Sequence, residues 1–444
     1  MKFNAGAGEP IAEQTIKRLY LRILPFVILC YIVAFIDRVN VGFAALHMNS
    51  TLGFSATVYG LGAGIFSIGY FLFEVPSNLI LNRVGARIWI ARIMITWGLI
   101  SAGFAFISGE KSFYAMRFLL GVAEAGFFPG IILYLTLWYP ARYLATATAV
   151  FVLGLPLAVL IGSPLSGLIL ATMQDVAGLH NWQWMFLVEG ALAVVVGISV
   201  FFVLANGPEK ASWLTDEQRK WLVSTLASER QAKENVRKYG VLESLFSGKV
   251  LLLAFAIFCN ITALFGITLW MPQMIKSIGN LNNTEAVLLT ALPYLCAGVG
   301  MVFNARHSDK TGERRLHILV PSLVGAAGLA LTVSSASPYV SMIGLCLGAA
   351  GILSANIMFW TVPSRFLTGA AAAAAIGLVN SVGNLGGFVG PYLTGWAKDT
   401  FGGYSASMYL LACMVIAYGV IMYVFLTVTA ASKQAPAGTV PQFK

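Results

Sequence analysis

Charged residues stand in the middle of segments that are otherwise apolar. Asp37 and Arg38 are adjacent in CYIVAFIDRVNVGFA, and Arg117 and Glu124 stand close together in FYAMRFLLGVAEAGFF. Arginine keeps its charge and binds a carboxylate through two parallel hydrogen bonds, whereas a buried carboxyl group can gain or lose a proton. We therefore predict a site in which Arg38 binds an organic anion and Asp37 and Glu124 carry protons. Arg117 is expected to act as a switch, because pairing with it would keep either carboxylate ionised.

The elements that position these residues are long apolar helices. The chain has 444 residues, of which 58% are hydrophobic and only 10% are charged, whereas a soluble domain carries about 25% charged residues. The apolar residues form blocks of roughly 20 or more, long enough to cross a hydrocarbon core of about 30 Å as helices. The predicted fold class is an all-α integral membrane protein. The twelve predicted spans are 21–46, 57–80, 88–108, 111–138, 144–173, 181–205, 250–275, 285–304, 316–336, 338–362, 369–396 and 404–429.

The net charge of +10 is distributed in a way that indicates membrane topology. With the N-terminus placed in the cytoplasm, the outer loops contain only three basic residues, Lys111, Lys276 and Lys398, and most of the others fall on the cytoplasmic side. This asymmetry follows the positive-inside rule for an even number of spans. We therefore expect a multi-pass protein with both termini in the cytoplasm, and no nucleic-acid partner.

Helix geometry predicts that the four charged residues lie around one cavity. With a rise of 1.5 Å per residue, Asp37 lies about 22 Å beyond Arg22. The fourth span runs in the opposite direction, so Arg117 and Glu124 lie roughly 9 and 20 Å in from Lys111. Charges at such depth are expensive and are normally paired or functional. The alternative is a static network of buried ion pairs, which would be a costly way to hold helices together.

The two halves of the chain repeat each other. The loops NRVGAR and DKTGER, which begin at residues 82 and 309, share a pattern at an offset of 227 residues, and Pro164 and Pro391 are separated by the same offset. Two matches at one offset indicate duplicated six-helix units. Repeats of this kind are typical of one large class of transporters.

The predicted domains follow from the charged linker between the halves. An N-terminal six-helix bundle is expected at 1–205, a cytoplasmic linker at 206–249, and a C-terminal bundle with a tail at 250–444. Within the linker, Thr215 and Gln218 match a capping box, which predicts that an amphipathic helix follows.

Several stretches resemble the major facilitator superfamily, and most closely its anion:cation symporter family, in the branch of tartrate, phthalate and hydroxyphenylacetate permeases. The stretches that carry the resemblance are FIDRVNVGFA, YFLFEVPSNLILNRVGARIWIARIM, RFLLGVAEAGFFPGIILYLTLWYPAR, WQWMFLVEG and VNSVGNLGGFVGP. The resemblance implies the major facilitator fold of two six-helix repeats and the same roles for the four charged residues. The signature loop departs from the family at Asn82 and Ala86, where Asp and Arg are usual, and this weakens the charge latch expected at the cytoplasmic face.

Residue type and the resemblance also indicate weaker site residues. Tyr70 is expected either to donate to a carboxylate or simply to pack, and Asn380 either to line the cavity or to bond a neighbouring helix. Glu74 favours a gating or helix-bonding role over substrate contact. The further substrate-binding candidates are Asn356 and Trp360, and the further gating candidates are Arg83, Arg87 and Asp309.

Other residues are assigned no chemistry. The five cysteines are scattered singly, and the four histidines stand at loops or helix ends with no expected partner cluster. Glu189 is interpreted as structural. The GLGAG run at 60–64 favours close helix packing over a nucleotide loop, since no strand precedes it. No metal site and no cofactor are predicted.

These observations predict a proton-coupled symporter that imports a small organic carboxylate by alternating access across the bacterial inner membrane. The substrate is expected to be an aromatic acid, a tartrate-like acid or a sugar acid, with a preference for the aromatic or small dicarboxylic acids. The expected partners are this substrate, protons and the lipid bilayer, and the protein is expected to be a monomer. The alternatives are an organic anion exchanger or exporter of the same fold and a membrane receptor; an enzyme is not expected, because no set of nucleophile and base is present.

Overall fold

The structure is a computed structural model that describes residues 10–234, 247–279, 281–360, 362 and 369–434. All regular structure within these ranges is helical. Helices satisfy their own backbone hydrogen bonds, which a segment inside a hydrocarbon core must do. The prediction of an all-α membrane protein is therefore confirmed.

The N-terminal half and the linker are built from ten α-helices in the described ranges. These are α1 (Pro10–Arg22), α2 (Leu24–Leu52), α3 (Ala56–Val84), α4 (Ala86–Gly103), α5 (Glu110–Glu124), α6 (Phe127–Thr136), α7 (Ala141–Val152), α8 (Gly154–Thr172), α9 (Asn181–Val203) and the linker helix α10 (Asp216–Glu234). A short 3₁₀ turn, Phe104–Phe106, follows α4.

The C-terminal half is built from eight α-helices in the described ranges. These are α11 (Gly248–Thr268), α12 (Met271–Ile278), α13 (Asn283–Leu289), α14 (Ala291–Thr311), α15 (Leu316–Ser334), α16 (Pro338–Phe359), α17 (Gly369–Phe401) and α18 (Ser405–Gln434).

Eleven helical segments in the described ranges are long and apolar enough to cross a membrane. They correspond to eleven of the twelve predicted spans. The remaining predicted span, 369–396, lies within α17, which packs along both α3 and α11. Helix α17 therefore joins the interior of the C-terminal half to the N-terminal half.

The fourth span is broken, contrary to the prediction of one helix over 111–138. Helix α5 ends at Glu124, and α6 begins only at Phe127. Between them Gly126 has φ 86°, in the left-handed region that favours glycine. A Cβ at Gly126 would also lie 2.4 Å from Ser77 Oγ of α3, so the close approach of α3 requires glycine here as well. The break leaves Glu124 at the C-terminal end of a helix inside the bundle.

The spans predicted at 144–173, 250–275 and 285–304 are also divided, each into two helices. The divisions fall between α7 and α8, between α11 and α12, and between α13 and α14.

The two halves meet along α3 and α17. A Cβ at Gly60 would lie 2.5 Å from the carbonyl oxygen of Pro391, and one at Gly64 would lie 2.7 Å from that of Phe388. Only glycine allows the two backbones to approach this closely. The prediction that GLGAG serves close helix packing is confirmed.

Asp399 joins α17 to α3 at one end of the interface between the two halves. The Asp399 carboxylate, near the end of α17, accepts hydrogen bonds from the backbone N–H groups of Ala56 (3.2 Å) and Thr57 (2.7 Å) in the first turn of α3. A carboxylate at a helix N-terminus is favoured by the helix dipole. We call this end of the bundle the distal face and the opposite end, which carries α1 and α10, the linker face.

The linker helix α10 begins with the predicted capping box. Gln218 N–H donates to Thr215 Oγ1 and Thr215 N–H donates to Gln218 Oε1, both at 3.3 Å. Arg18 of α1 donates to the same Gln218 Oε1 at 2.9 Å, so the N-terminal helix is held against the linker. Residues 235–246 of the predicted linker lie outside the described residues.

Candidate functional site

A buried ion pair joins α2 and α5. Arg38 donates through Nη2 to Glu124 Oε1, and the two side chains are 16% and 4% exposed. The Arg38 Nε–H is buried and has no hydrogen-bond partner among the described residues. The guanidinium group therefore retains an unused donor while one of its arms holds Glu124.

Aromatic rings surround the same guanidinium group. The Arg38 Cζ atom lies 5.0 Å from the ring centre of Phe66 and 5.2 Å from that of Tyr70, both on α3. Cation–π contacts of this kind hold an arginine while leaving its edge free for hydrogen bonds. Tyr70 is buried beside Arg38, a position that is compatible with either predicted role, donation to a carboxylate or packing.

Arg117 pairs with no carboxylate among the described residues. It is buried, and it donates to the carbonyl oxygens of Gly62 (Nε, 3.4 Å) and Ala63 (Nη2, 2.8 Å). Its Cζ atom lies 5.1 Å from the ring centre of Phe66, on which Arg38 also rests. At Glu124, Arg38 occupies the place that the sequence analysis assigned to Arg117.

Asp37 takes no part in the hydrogen bond that joins Arg38 and Glu124. It is buried and accepts hydrogen bonds from Ser101 Oγ of α4 and from Asn40 Nδ2 at 2.9 Å. Consecutive residues of an α-helix project about 100° apart, and here Asp37 and Arg38 bond to different partners. Three of the four predicted charges therefore gather around Phe66, and the fourth lies against α4.

Glu74 links the two halves one helical turn beyond Tyr70. Asn380 of α17 donates to Glu74 Oε1 at 2.5 Å, and Ser381 donates to Glu74 Oε2 at 3.4 Å. Glu74 is buried, while Val75 and Leu79 of α3 are largely exposed. Glu74 therefore joins α3 of the N-terminal half to α17 of the C-terminal half.

The polar residues of the C-terminal half form a separate pair. Asn356 of α16 donates to Asn260 Oδ1 of α11 at 2.7 Å, and Asn260 is fully buried. The Trp360 ring packs edge-on against Phe359, with 5.2 Å between ring centres. Asn260 is not among the residues predicted from the sequence, although an asparagine within an apolar span is the signal that identifies it.

The predicted gating loops make contacts within their own halves. Arg83 is exposed at the end of α3, and Arg87 donates to the carbonyl oxygen of Phe201 on α9. Arg314 donates to Asp309 Oδ1 at 2.5 Å. In this structure, the last arginine of each signature loop, Arg87 or Arg314, therefore forms a hydrogen bond within its own half.

The prediction that the histidines lack a partner cluster is wrong for two of them. His307 Nδ1 lies 2.7 Å from His317 Nε2, and His317 Nδ1 lies 3.1 Å from Glu313 Oε2. Partial burial acts to raise the pKa of Glu313, but hydrogen bonds from His317 and from the backbone N–H groups of Leu316 and Arg315 outweigh it, and the net pKa is lowered. His307 lies on α14, His317 on α15 and Glu313 in the short turn that joins these helices, so the contact depends on how the two helices are rotated.

Among the described residues, no group of three or more His, Cys, Asp or Glu side chains is arranged to hold a metal ion. The five cysteines are free. The site therefore combines one buried ion pair, Arg38 with Glu124, and a buried carboxyl group, Asp37, that is held by Ser101 and Asn40.

Comparison with known proteins places the chain in a family. The profile of the Major Facilitator Superfamily matches residues 27–391. A protein of Agrobacterium vitis that has tartrate transport in its name is 50% identical over 93% of this chain and 95% of its own length. A protein of Acinetobacter baumannii named as a quinolone resistance transporter is 42% identical over 92% of this chain and 94% of its own length.

The fold has solved counterparts. The Escherichia coli xylose transporter XylE, in a partially occluded inward-open conformation, superposes with a TM-score of 0.72 at 15% identity, over 92% of this chain and 98% of that chain. This likeness concerns the fold alone. The chain belongs to the major facilitator superfamily, in its anion:cation symporter branch, and is a membrane transporter rather than an enzyme.

Proposed function

We propose that this chain is a proton-coupled symporter that imports a small organic carboxylate by alternating access. The observation that carries the proposal is the buried Arg38–Glu124 pair with its unused Nε–H donor. A guanidinium group with a free edge is suited to a second carboxylate, and a bound substrate is the natural source of one.

Charge balance links the substrate to a proton. An unpaired arginine at this depth is strongly unfavourable, so Arg38 needs either ionised Glu124 or an anionic substrate. When the substrate carboxylate takes Arg38, Glu124 loses its counter-charge at the negative end of the α5 dipole. Glu124 then binds a proton, and the site stays neutral in both states. Anion and proton therefore travel together.

Asp37 and Arg117 take supporting parts in the proposal. Asp37 is within electrostatic range of Glu124 and Arg117 but is held by Ser101 and Asn40, so it binds a proton separately from the substrate pair. Arg117, held by the carbonyls of α3, keeps a positive charge near the site. A rearrangement of α3 would release Arg117 toward a carboxylate, as the switch role requires.

The remaining polar groups define the substrate class. The proposed substrate has one carboxylate on Arg38, near Tyr70, and a polar remainder that reaches Asn380 or Asn356. The relative named for tartrate transport favours tartrate as the first compound to test. We place the protein in the bacterial inner membrane as a monomer, with the linker face in the cytoplasm.

The second candidate function is organic anion exchange or export. The relative named as a quinolone resistance transporter supports this candidate, because a resistance function is typical of outward transport. The Arg38–Glu124 pair would serve an exchanger as well, with one anion replacing another on Arg38 and no proton on Glu124.

The experiment uses purified protein in proteoliposomes that contain a pH-sensitive dye. Tartrate, phthalate, 4-hydroxyphenylacetate and galactonate are added outside in turn. Symport predicts that one of these acids acidifies the lumen. If no acid moves protons while preloaded vesicles still exchange labelled tartrate, the exchanger replaces the symporter.

A further inference from the structure

A second buried carboxyl group lies on α9, which packs against α2, the helix that carries Asp37. Glu189 on α9 is 2% exposed, and its Oε1 atom accepts a hydrogen bond from Ser166 Oγ of α8 at 2.6 Å. Its other oxygen, Oε2, is buried without a hydrogen-bond partner among the described residues. The sequence analysis interpreted this residue as structural.

The two acids share one neighbour, Asn40. The Asn40 amide donates to Asp37 Oδ1 with good geometry at 2.9 Å and also faces Glu189. Asp37 Oδ2, like Glu189 Oε2, is buried without a partner among the described residues. Each carboxyl group therefore presents one unsatisfied oxygen within the same buried region.

The charges around this region are few. In the described part of the chain, the elements packed against α9 are α2, α4, α8 and the turn Phe104–Phe106. Among the described residues of these elements, Asp37 is the one ionisable group that interacts electrostatically with Glu189. Asp37 in turn is within range of Glu124 and Arg117. In the described part of the chain, neither Asp37 nor Glu189 lies within 4 Å of a basic side chain.

Physical chemistry does not allow both groups to remain ionised in this setting. One buried carboxylate without a counter-ion is already strongly unfavourable, and a second beside it adds repulsion. Two neighbouring carboxyl groups in such a site therefore retain a proton between them. Hydrogen bonds from Ser101, Asn40 and Ser166 can stabilise one negative charge shared by Asp37 and Glu189.

We propose that Glu189 and Asp37 share a proton, and that Glu189 is the residue through which protons reach Asp37 from the distal face. Its role in transport rests on the proton coupling proposed above. Glu189 lies eight residues into α9, about 12 Å from the distal end of that helix. In the transfer, the Glu189 O–H bond breaks and an O–H bond to the Asp37 carboxylate forms, and Glu189 is reprotonated from the distal side.

The first test detects the shared proton without substrate. Infrared difference spectra of the lipid-reconstituted protein are recorded over a pH titration, and a protonated-carboxyl band is followed. Glu189→Gln and Asp37→Asn should each remove or shift this band. Ser166→Ala, which removes the hydroxyl donor to Glu189, should shift it. Ser163→Ala is the matched control, because this buried hydroxyl lies on the same helix and has no partner among the described residues.

The second test measures transport in the same proteoliposomes. Glu189→Gln should retain exchange of labelled tartrate while proton-driven uptake falls about tenfold or more, and Glu189→Asp should restore part of the uptake. A structural role would reduce both activities together. A carboxyl band unchanged in Glu189→Gln, or equal proton flux in variant and wild type, overturns the inference. If Glu189→Gln fails to fold, the Ser166→Ala spectrum decides. If wild-type protein moves no protons at all, the proposed symport fails, and the infrared test of the shared proton still stands.

Discussion

Replacing Glu124 by glutamine tests the link between substrate and proton at its centre. Glutamine keeps the shape of the side chain but cannot be ionised, so Arg38 loses its partner. If one proton must join Glu124 for each carboxylate that binds Arg38, substrate affinity depends on pH through that proton. The wild-type Kd should then rise about tenfold per pH unit, which is ~1.4 kcal/mol, wherever Glu124 is ionised in the free protein.

The size of the effect follows from the burial of the pair. The Arg38 and Glu124 side chains are 16% and 4% exposed, so Arg38 alone is left with little solvation. Removing one partner of a buried pair costs about 3–5 kcal/mol. The Glu124→Gln protein should therefore be less stable when empty and should regain stability when the anion binds. The Kd of Glu124→Gln should not change with pH through this residue. At about two pH units above the point where the wild-type Kd begins to rise, the variant should therefore bind the anion about a hundredfold tighter than wild type.

The assay is calorimetric titration of purified protein with tartrate, or with whichever acid acidifies the vesicles, across a pH series. Thermal unfolding with and without the acid provides the stability comparison. Ser163→Ala serves as the control for a buried substitution away from the site. If Glu124→Gln shows the same slope of log Kd against pH as wild type, Glu124 does not carry the substrate-linked proton and the charge-balance reasoning is refuted.

Three further predictions concern recognition, closure and pH. Arg38→Lys should abolish anion binding, because a point charge cannot reproduce the planar fork; unchanged affinity by calorimetry would contradict this. Gly64→Ala places a Cβ 2.7 Å from the Phe388 carbonyl oxygen and should open the distal face, measured as faster labelling of a cysteine introduced near Ala56, whereas Gly109→Ala, which meets nothing within 4 Å, should label as wild type. Glu313→Gln should lower stability by about 1 kcal/mol near neutral pH. Because the pKa of Glu313 is lowered in the folded state, its contribution is present above the unfolded pKa and is lost as pH falls through the folded pKa; a difference in unfolding temperature that persists in acid would count against it.

The sequence by itself determined the fold class and located the eleven membrane-crossing helices found in the described ranges. Hydrophobic runs are a local property, so the membrane helices could be read directly, and charges within them marked Arg38, Glu124 and Asp37 because buried charges are costly. The sequence also predicts close helix packing at the GLGAG run, 60–64, because the run lies within an apolar span that no strand precedes, and the structure confirms it.

Only the tertiary structure decided which charges meet. Asp37 and Arg38 are neighbours in the sequence, yet helical geometry turns them toward different partners, and Glu124 pairs with Arg38 rather than Arg117. The contacts of Glu74 with Asn380 and of His307 with His317 join separate helices. Their pairing depends on how the helices are rotated and packed, and that information is not local to either segment.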